Sequence, residues 1–436
     1  LVLGNAAADT LSFAGGLTAT APAAISVAGN LGTTNAAIVL GTAPVTLTGN
    51  TSLNAGSGLI TLGGTVDGAY SLALNSSGIT TLDAVVGDGV ALSSLTTNTG
   101  GTVVIKGGRV TTSGAQTYND DVLLDNAAAR TTTLNTTNAS VMLGGKLNNN
   151  TAAAEALTIN AGSGAVTFTG AVGDAVATNN GPVGALAVNS TGATTFVNTV
   201  DAASMTTNVG GTVVIQGGRV TTSGAQTYND DVLLDNAAAH TTTLNTTNAA
   251  VMLGGKLNNN TASAEALTIN AGSGAVTFAG AVGDTVGVNN GPMGTLAVNS
   301  TGATTFVNTV DAASVTTNVG GTVVIQGGRV TTSGAQTYND DVLLDNAAAR
   351  TTTLNTTNAA VMLGGKLNNT TAAEALTINA GSGAVTFTGA VGDAVATNNG
   401  PVGALAVNST GVTTFVSTVD AASLTTNVGG TVVIQG

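Results

Sequence analysis

The carboxylates and the single histidine, His240, are the side chains of this chain whose types could do chemistry. Asp120, Asp121 and Asp125 crowd into one strand-like segment, where two could act as acid and base or all three could ligate calcium. The trio returns as Asp230, Asp231 and Asp235 and again as Asp340, Asp341 and Asp345, whereas a catalytic cleft is a single constellation. A solvated strand edge is the simpler reading, with weak calcium binding at Asp120, Asp121 and Asp125 as its chemical alternative. Asp174 and Asp201, with counterparts Asp284, Asp311, Asp393 and Asp420, read as turn formers. His240 stands where the sister copies carry Arg130 and Arg350, an exchange that marks a surface position. No Ser-His or Cys-His nucleophile can be assembled around it. The pairs Gly107-Gly108 and Gly144-Gly145 lack the Lys-Ser or Lys-Thr that a phosphate loop requires. No catalytic residue and no cofactor is assigned.

The elements that would hold such residues must be thin. Of 436 residues, 7% are charged and 3% aromatic, yet 43% are hydrophobic, almost all of them Ala, Val, Leu and Ile. Small aliphatic side chains fill a narrow core and favour an elongated architecture over a thick globule. A net charge of −13 with nine basic residues opposes binding to nucleic acid or to anionic membranes. Cysteine is absent, so ladders and core alone must stabilise the fold. No apolar run is long enough for a transmembrane helix. The start at Leu1-Val2-Leu3 has neither an initiator methionine nor the look of a signal peptide, which suggests a mature product or an excised piece.

Internal repetition dominates the organisation. The run GGRVTTSGAQTYNDDVLLDN carries its tyrosine at Tyr118, Tyr228 and Tyr338, a spacing of 110 residues. We divide the chain into divergent coils at 1–50, a short degenerate repeat at 51–100, and full repeats at 101–210, 211–320 and 321–429. The start of a further repeat follows at 430–436. Within a repeat, five segments share one pattern: a short β-rich strand, a turn of Asn, Gly and Ser, and a second strand ending in a large apolar residue. Those ends are Phe168, Phe196, Ile215, Leu234, Leu253 and then Phe278, at spacings of 28, 19, 19, 19 and 25.

These spacings predict an all-β, parallel β-helix with a basic coil of about 19 residues, five coils per repeat and about 20 coils in all. Strand spacing would make it a rod on the order of 90 to 100 Å long. Phe168 should stack near Phe196 with Ile215 above, and Val166 and Val214 nearby. Asn135, Asn160, Asn189 and Asn208 recur in phase, where they could adopt left-handed turns or form amide ladders. Length changes should fall outside the coils. The last repeat is one residue shorter, and the loss lies where NNNTAAAEA has become NNTTAAEA.

Two insertions interrupt the coils, at 144–156 and 173–184. Their polar residues, Lys146, Asn148, Glu155, Asp174, Asn179, Asn180 and Pro182, are the candidate contact residues. Repeated protrusions suit multivalent contact, in which weak single contacts sum through avidity.

Segments such as SGAVTFTGAVG, LAVNSTGATTF, GGTVVIQGGRVTTSGAQTYNDDVLL and LTINAGSG resemble the repeats of very large bacterial surface proteins of the filamentous haemagglutinin and autotransporter-adhesin type. The resemblance covers Leu53 to Gly436 well and the first fifty residues loosely. It implies a right-handed β-helix, export across an outer membrane, and a role in adhesion, biofilm or an extracellular filament. The partners expected are further copies of the chain, end to end or laterally, and a host or surface ligand, with no nucleic acid and no membrane insertion. The expectation is a rigid, non-enzymatic structural and adhesive segment of a surface fibre. Its alternative is a self-assembling subunit of a filament or sheath, and behind that stands a polysaccharide-active enzyme.

Overall fold

In the computed structural model the chain is an all-β parallel solenoid of about 17 turns of roughly 23 residues, with no helix among the described residues. The structure describes all residues except 21, 127–130, 151–152, 175–180, 237–240, 261–262, 285–290, 347–350, 371–372 and 394–399. His240, Asn179 and Asn180 lie outside the described residues. Two compact units divide the chain, Leu1–Gly217 and Gly218–Gly436.

In each unit three short strands make one coil turn, and each strand pairs in parallel with its counterparts on the turns before and after. The strands alternate in burial because successive side chains point to opposite faces. In Ala303–Phe306, Thr304 and Phe306 are buried while Ala303 faces solvent. The inward positions are Val, Leu, Ile, Phe and a few Thr, and burying each large apolar side chain contributes roughly 1.5–3 kcal/mol. Threonine and valine suit such strands because a branched side chain packs well on a pleated surface.

In the first unit, one ladder carries Tyr118, Leu143, Phe168, Phe196 and Ile215 in register. The rings of Phe168 and Phe196 stack with centroids 4.9 Å apart, as the spacing predicts. Val166 continues to Thr194 and Val213, so the buried neighbour is Val213 and Val214 faces outward. A one-residue step in a strand reverses the side-chain direction.

The second unit shows why the basic coil is longer than 19 residues. Its first face runs Tyr228, Leu253, Phe278, Phe306, Ile325, Leu344 and Asn369. Its second face runs from Val232 through Leu257, Val282, Val310, Val330 and Leu354 to Ile378. The third passes from Leu244 through Ile269, Val298, Thr317, Tyr338 and Leu363 to Phe387. Leu234 belongs to the second face and Leu253 to the first, so that interval of 19 residues is not a coil turn. Equal strand motifs occur on all three faces because every face must feed the same core, and periodicity alone cannot tell them apart.

From Gln226 on the first face, four turns bring the chain to Val323. Val330 on the second face and Gln336 on the third follow before the sequence repeats. A 110-residue repeat therefore holds four turns and two further faces, not five coils, and Tyr338 lies on a different face from Tyr228.

One set of buried polar groups, a Gln–Tyr pair in each repeat, is paired inside this core. Tyr228 donates its hydroxyl to Oε1 of Gln226 across 2.9 Å, and Nε2 of Gln226 donates to the carbonyl of Asn245 across 2.8 Å. Tyr118 with Gln116 and Tyr338 with Gln336 repeat the arrangement. Such groups would cost stability if left unpaired.

Of the predicted asparagine ladder, Asn160 donates to Asn135 across 2.8 Å and Asn189 to Asn160 across 2.7 Å. Asn208 stands apart, its Oδ1 accepting the amide of Ser190. Among the described residues the left-handed asparagines are Asn35, Asn138, Asn248 and Asn358 instead, at φ of 52° to 55°.

Candidate functional site

A set of charged residues gathers at one corner of the coil. In the second unit, Asp231, Lys256, Asp284, Asp311 and Arg329 adjoin Val232, Leu257, Val282, Val310 and Val330, which are successive rungs of the second face. Five consecutive turns thus each supply one charged side chain, in a sequence of which only 7% is charged. Adjacent strands stand about 4.8 Å apart, so neighbouring side chains interact directly.

Geometry pairs them along the corner. The amide of Lys256 donates to Oδ1 of Asp231 across 2.8 Å, and its ammonium meets Asp284 Oδ2 at 2.8 Å. Arg329 grips Asp311 with two parallel bonds of 2.9 Å and donates a third to Thr331. Hydrogen bonding and charge from Asp284, with a contribution from Asp231, hold the Lys256 ammonium above its ordinary pKa. Asp231, Lys256, Asp284, Asp311 and Arg329, with Asn308 and Thr309, line a cleft of about 500 Å³.

The other repeats rebuild the same base. Lys146 meets Asp174 at 2.8 Å and Lys366 meets Asp393 at 2.8 Å, each lysine amide bonding Asp121 or Asp341. The Lys366 partner and the Asn368 amide keep the Asp393 carboxyl below the usual carboxylate range.

The predicted contact residues divide into two sets. Lys146 and Asp174 are paired and partly exposed, and Pro182 is exposed. Asn148 and Glu155 are buried, at 4% and 0% exposure, which leaves neither the surface that a contact residue needs. Asn148 lies in the strand Leu147–Asn149, in register with Val122–Leu124, so this part of the insertion belongs to the coil. Glu155 accepts the amide of Asn126 across 2.8 Å, and its backbone bonds Asn149 Oδ1 and the amide of Gly184. It therefore clamps the two insertions to the coil and to each other.

The aspartate trio is not one cluster. Asp120 is 1% exposed and accepts the amide of Gly101 across 2.8 Å, which corrects the solvated-edge reading for this residue. Burial raises its carboxyl pKa, opposed by the Gly101 amide and the Thr97 hydroxyl. Asp121 is exposed, as a strand edge should be, and Asp125 is half-buried. Among the described residues no three acidic or histidine side chains converge on a point where a metal ion could sit.

Sequence reasoning missed the ladder as a unit, having read Asp284 and Asp311 as turn formers. Its signal is the recurrence of charge at 231, 256, 284, 311 and 329, intervals that track the coil turns.

No protein family, no curated protein and no solved structure matches this chain. What fold and site define is a class, the tandem-repeat parallel β-solenoid with a charge-lined corner at the base of its insertions.

Proposed function

We propose that this chain is a non-enzymatic structural and contact segment of an extracellular, bacterial-surface fibre. The observation that carries the reading is the corner itself: near-identical repeats rebuild the same ion-paired base beneath the same insertions. An enzyme concentrates its chemistry once, whereas a scaffold gains from copying a contact site, since weak contacts sum through avidity. The scarcity of aromatic and charged residues supports a rigid spacer whose core is built by repetition. The repeat style supports a place outside the cell, with a host or surface ligand, or further copies of the chain, as partners. Calcium at the aspartates is not needed for this role.

Negative-stain electron microscopy of the purified chain across a range of concentrations, with and without calcium, tests the reading. Isolated short rods at every concentration are expected. Compact particles would overturn it, and long uniform fibres would replace the contact segment with a self-assembling filament subunit.

A further inference from the structure

We infer that successive repeats turn the charge-lined corner to different sides of the coil, so that the chain bridges a hydrophilic meshwork around it instead of laying one strip of contacts on a flat surface. The inference rests on the contact role proposed above. In the second unit, the Lys256–Asp284 pair closes the corner between the first face, at Leu253, and the second, at Leu257. One repeat later, the Lys366–Asp393 pair closes the corner between the third face, at Leu363, and the first, at Leu367. Two copies would superpose along the coil only if a repeat held a whole number of turns. It holds four turns and two faces, so identical sequence is set on a different corner each time.

Avidity requires that linked sites engage together and is lost where geometry forbids it. A flat partner touching one side meets the corner of one repeat and not that of the next. A mesh of polymer strands surrounding the coil can meet both. The corner carries both signs of charge in sequence, Asp231, Lys256, Asp284, Asp311 and Arg329, which suits hydrophilic strands of low net charge better than a polyanion or a polycation.

The chain has no cysteine, so introduced thiols can be biotinylated selectively. Asn308→Cys with Ser417→Cys labels two different corners. Asn308→Cys with Ala373→Cys labels one corner twice. Each doubly labelled chain is captured on a surface densely coated with streptavidin, and uptake of soluble fluorescent streptavidin is then measured. Chains labelled on different corners should take up at least about threefold more, because one biotin faces away from the surface. Equal uptake by the two pairs would overturn the inference. No natural partner enters the measurement, so a chain that binds no ligand at all would sink the contact role while leaving this result standing.

Discussion

The hydroxyl of Tyr338 donates to Oε1 of Gln336 across 3.0 Å, and neither side chain is exposed to solvent. Tyr338→Phe keeps the ring and deletes the donor, leaving a buried acceptor short of its partner. The loss should be about 1–3 kcal/mol, read from urea unfolding followed by circular dichroism. A change within error would mean that Gln336 finds another donor and that the pair does not hold the turn.

Burial also pushes the phenols of Tyr118, Tyr228 and Tyr338 well above their ordinary value. Their folded pKa exceeds the unfolded one, so the stability they contribute is complete below about pH 10 and falls as pH rises beyond it. Ultraviolet titration should show these three phenolates only as the circular dichroism signal collapses. Three phenolates appearing with the coil intact would contradict their burial.

Asp340 should act in the same sense at lower pH. Burial raises its carboxyl, the neighbouring Asp341 adds a smaller push, and the Gly321 amide and Thr317 hydroxyl oppose them. A raised folded pKa means stability that is present below the unfolded carboxylate value, about 3.9, and is lost as pH rises through the folded value. Asp340→Asn removes that loss, so the stability of the variant relative to the wild type should increase between pH 4 and pH 7. A difference that stays flat over this range would show that Asp340 does not titrate in the folded coil.

Gly283 has φ +67°, and a Cβ there would meet the Asp311 carbonyl at 2.0 Å, whereas a Cβ on Gly291 meets nothing within 4 Å. Gly283→Ala should therefore destabilise by more than about 2 kcal/mol through strain and clash. Gly291→Ala should stay within about 0.5 kcal/mol. Thermal unfolding of the two variants side by side checks the contrast, and equal effects would remove the close approach of these turns.

Breaking the ion pair should cost far less. Lys256 is 44% exposed and Asp284 16%, so solvent screens the interaction. Lys256→Met should leave the thermal unfolding midpoint within error of the wild type. A lower midpoint would make the corner a structural staple instead of a contact surface.

How much of this was legible in the sequence depended on whether a residue's neighbours repeat with it. The stacking of Phe168 on Phe196, the amide ladder from Asn135 to Asn189 and the parallel β-helical fold follow from motifs that recur at turn spacing. The turn count did not, because Leu234 and Leu253 end identical-looking strands on different faces, and only the pairing of Leu234 with Asn259 separates them. Burial of Asp120 and Glu155 was likewise hidden. Each is a polar residue drawn inward to satisfy backbone amides, Gly101 for the first and Asn126 for the second, and such demands belong to the folded turn and not to the residue type.

The register of the turns is the claim on which the rotating corner depends, and engineered disulfides read it directly. Thr337 and Met362 are outward-facing partners on adjacent turns, whereas Leu343 pairs with Val324 and Asn368. Neighbours at about 4.8 Å lie within the Cα separation that a disulfide spans. Under mild oxidation, Thr337→Cys with Met362→Cys should crosslink, and Leu343→Cys with Met362→Cys should not, as scored by the two-hydrogen mass loss. Crosslinking of the second pair and not the first would place five whole coils in each repeat, align the corners on one side, and contradict the account.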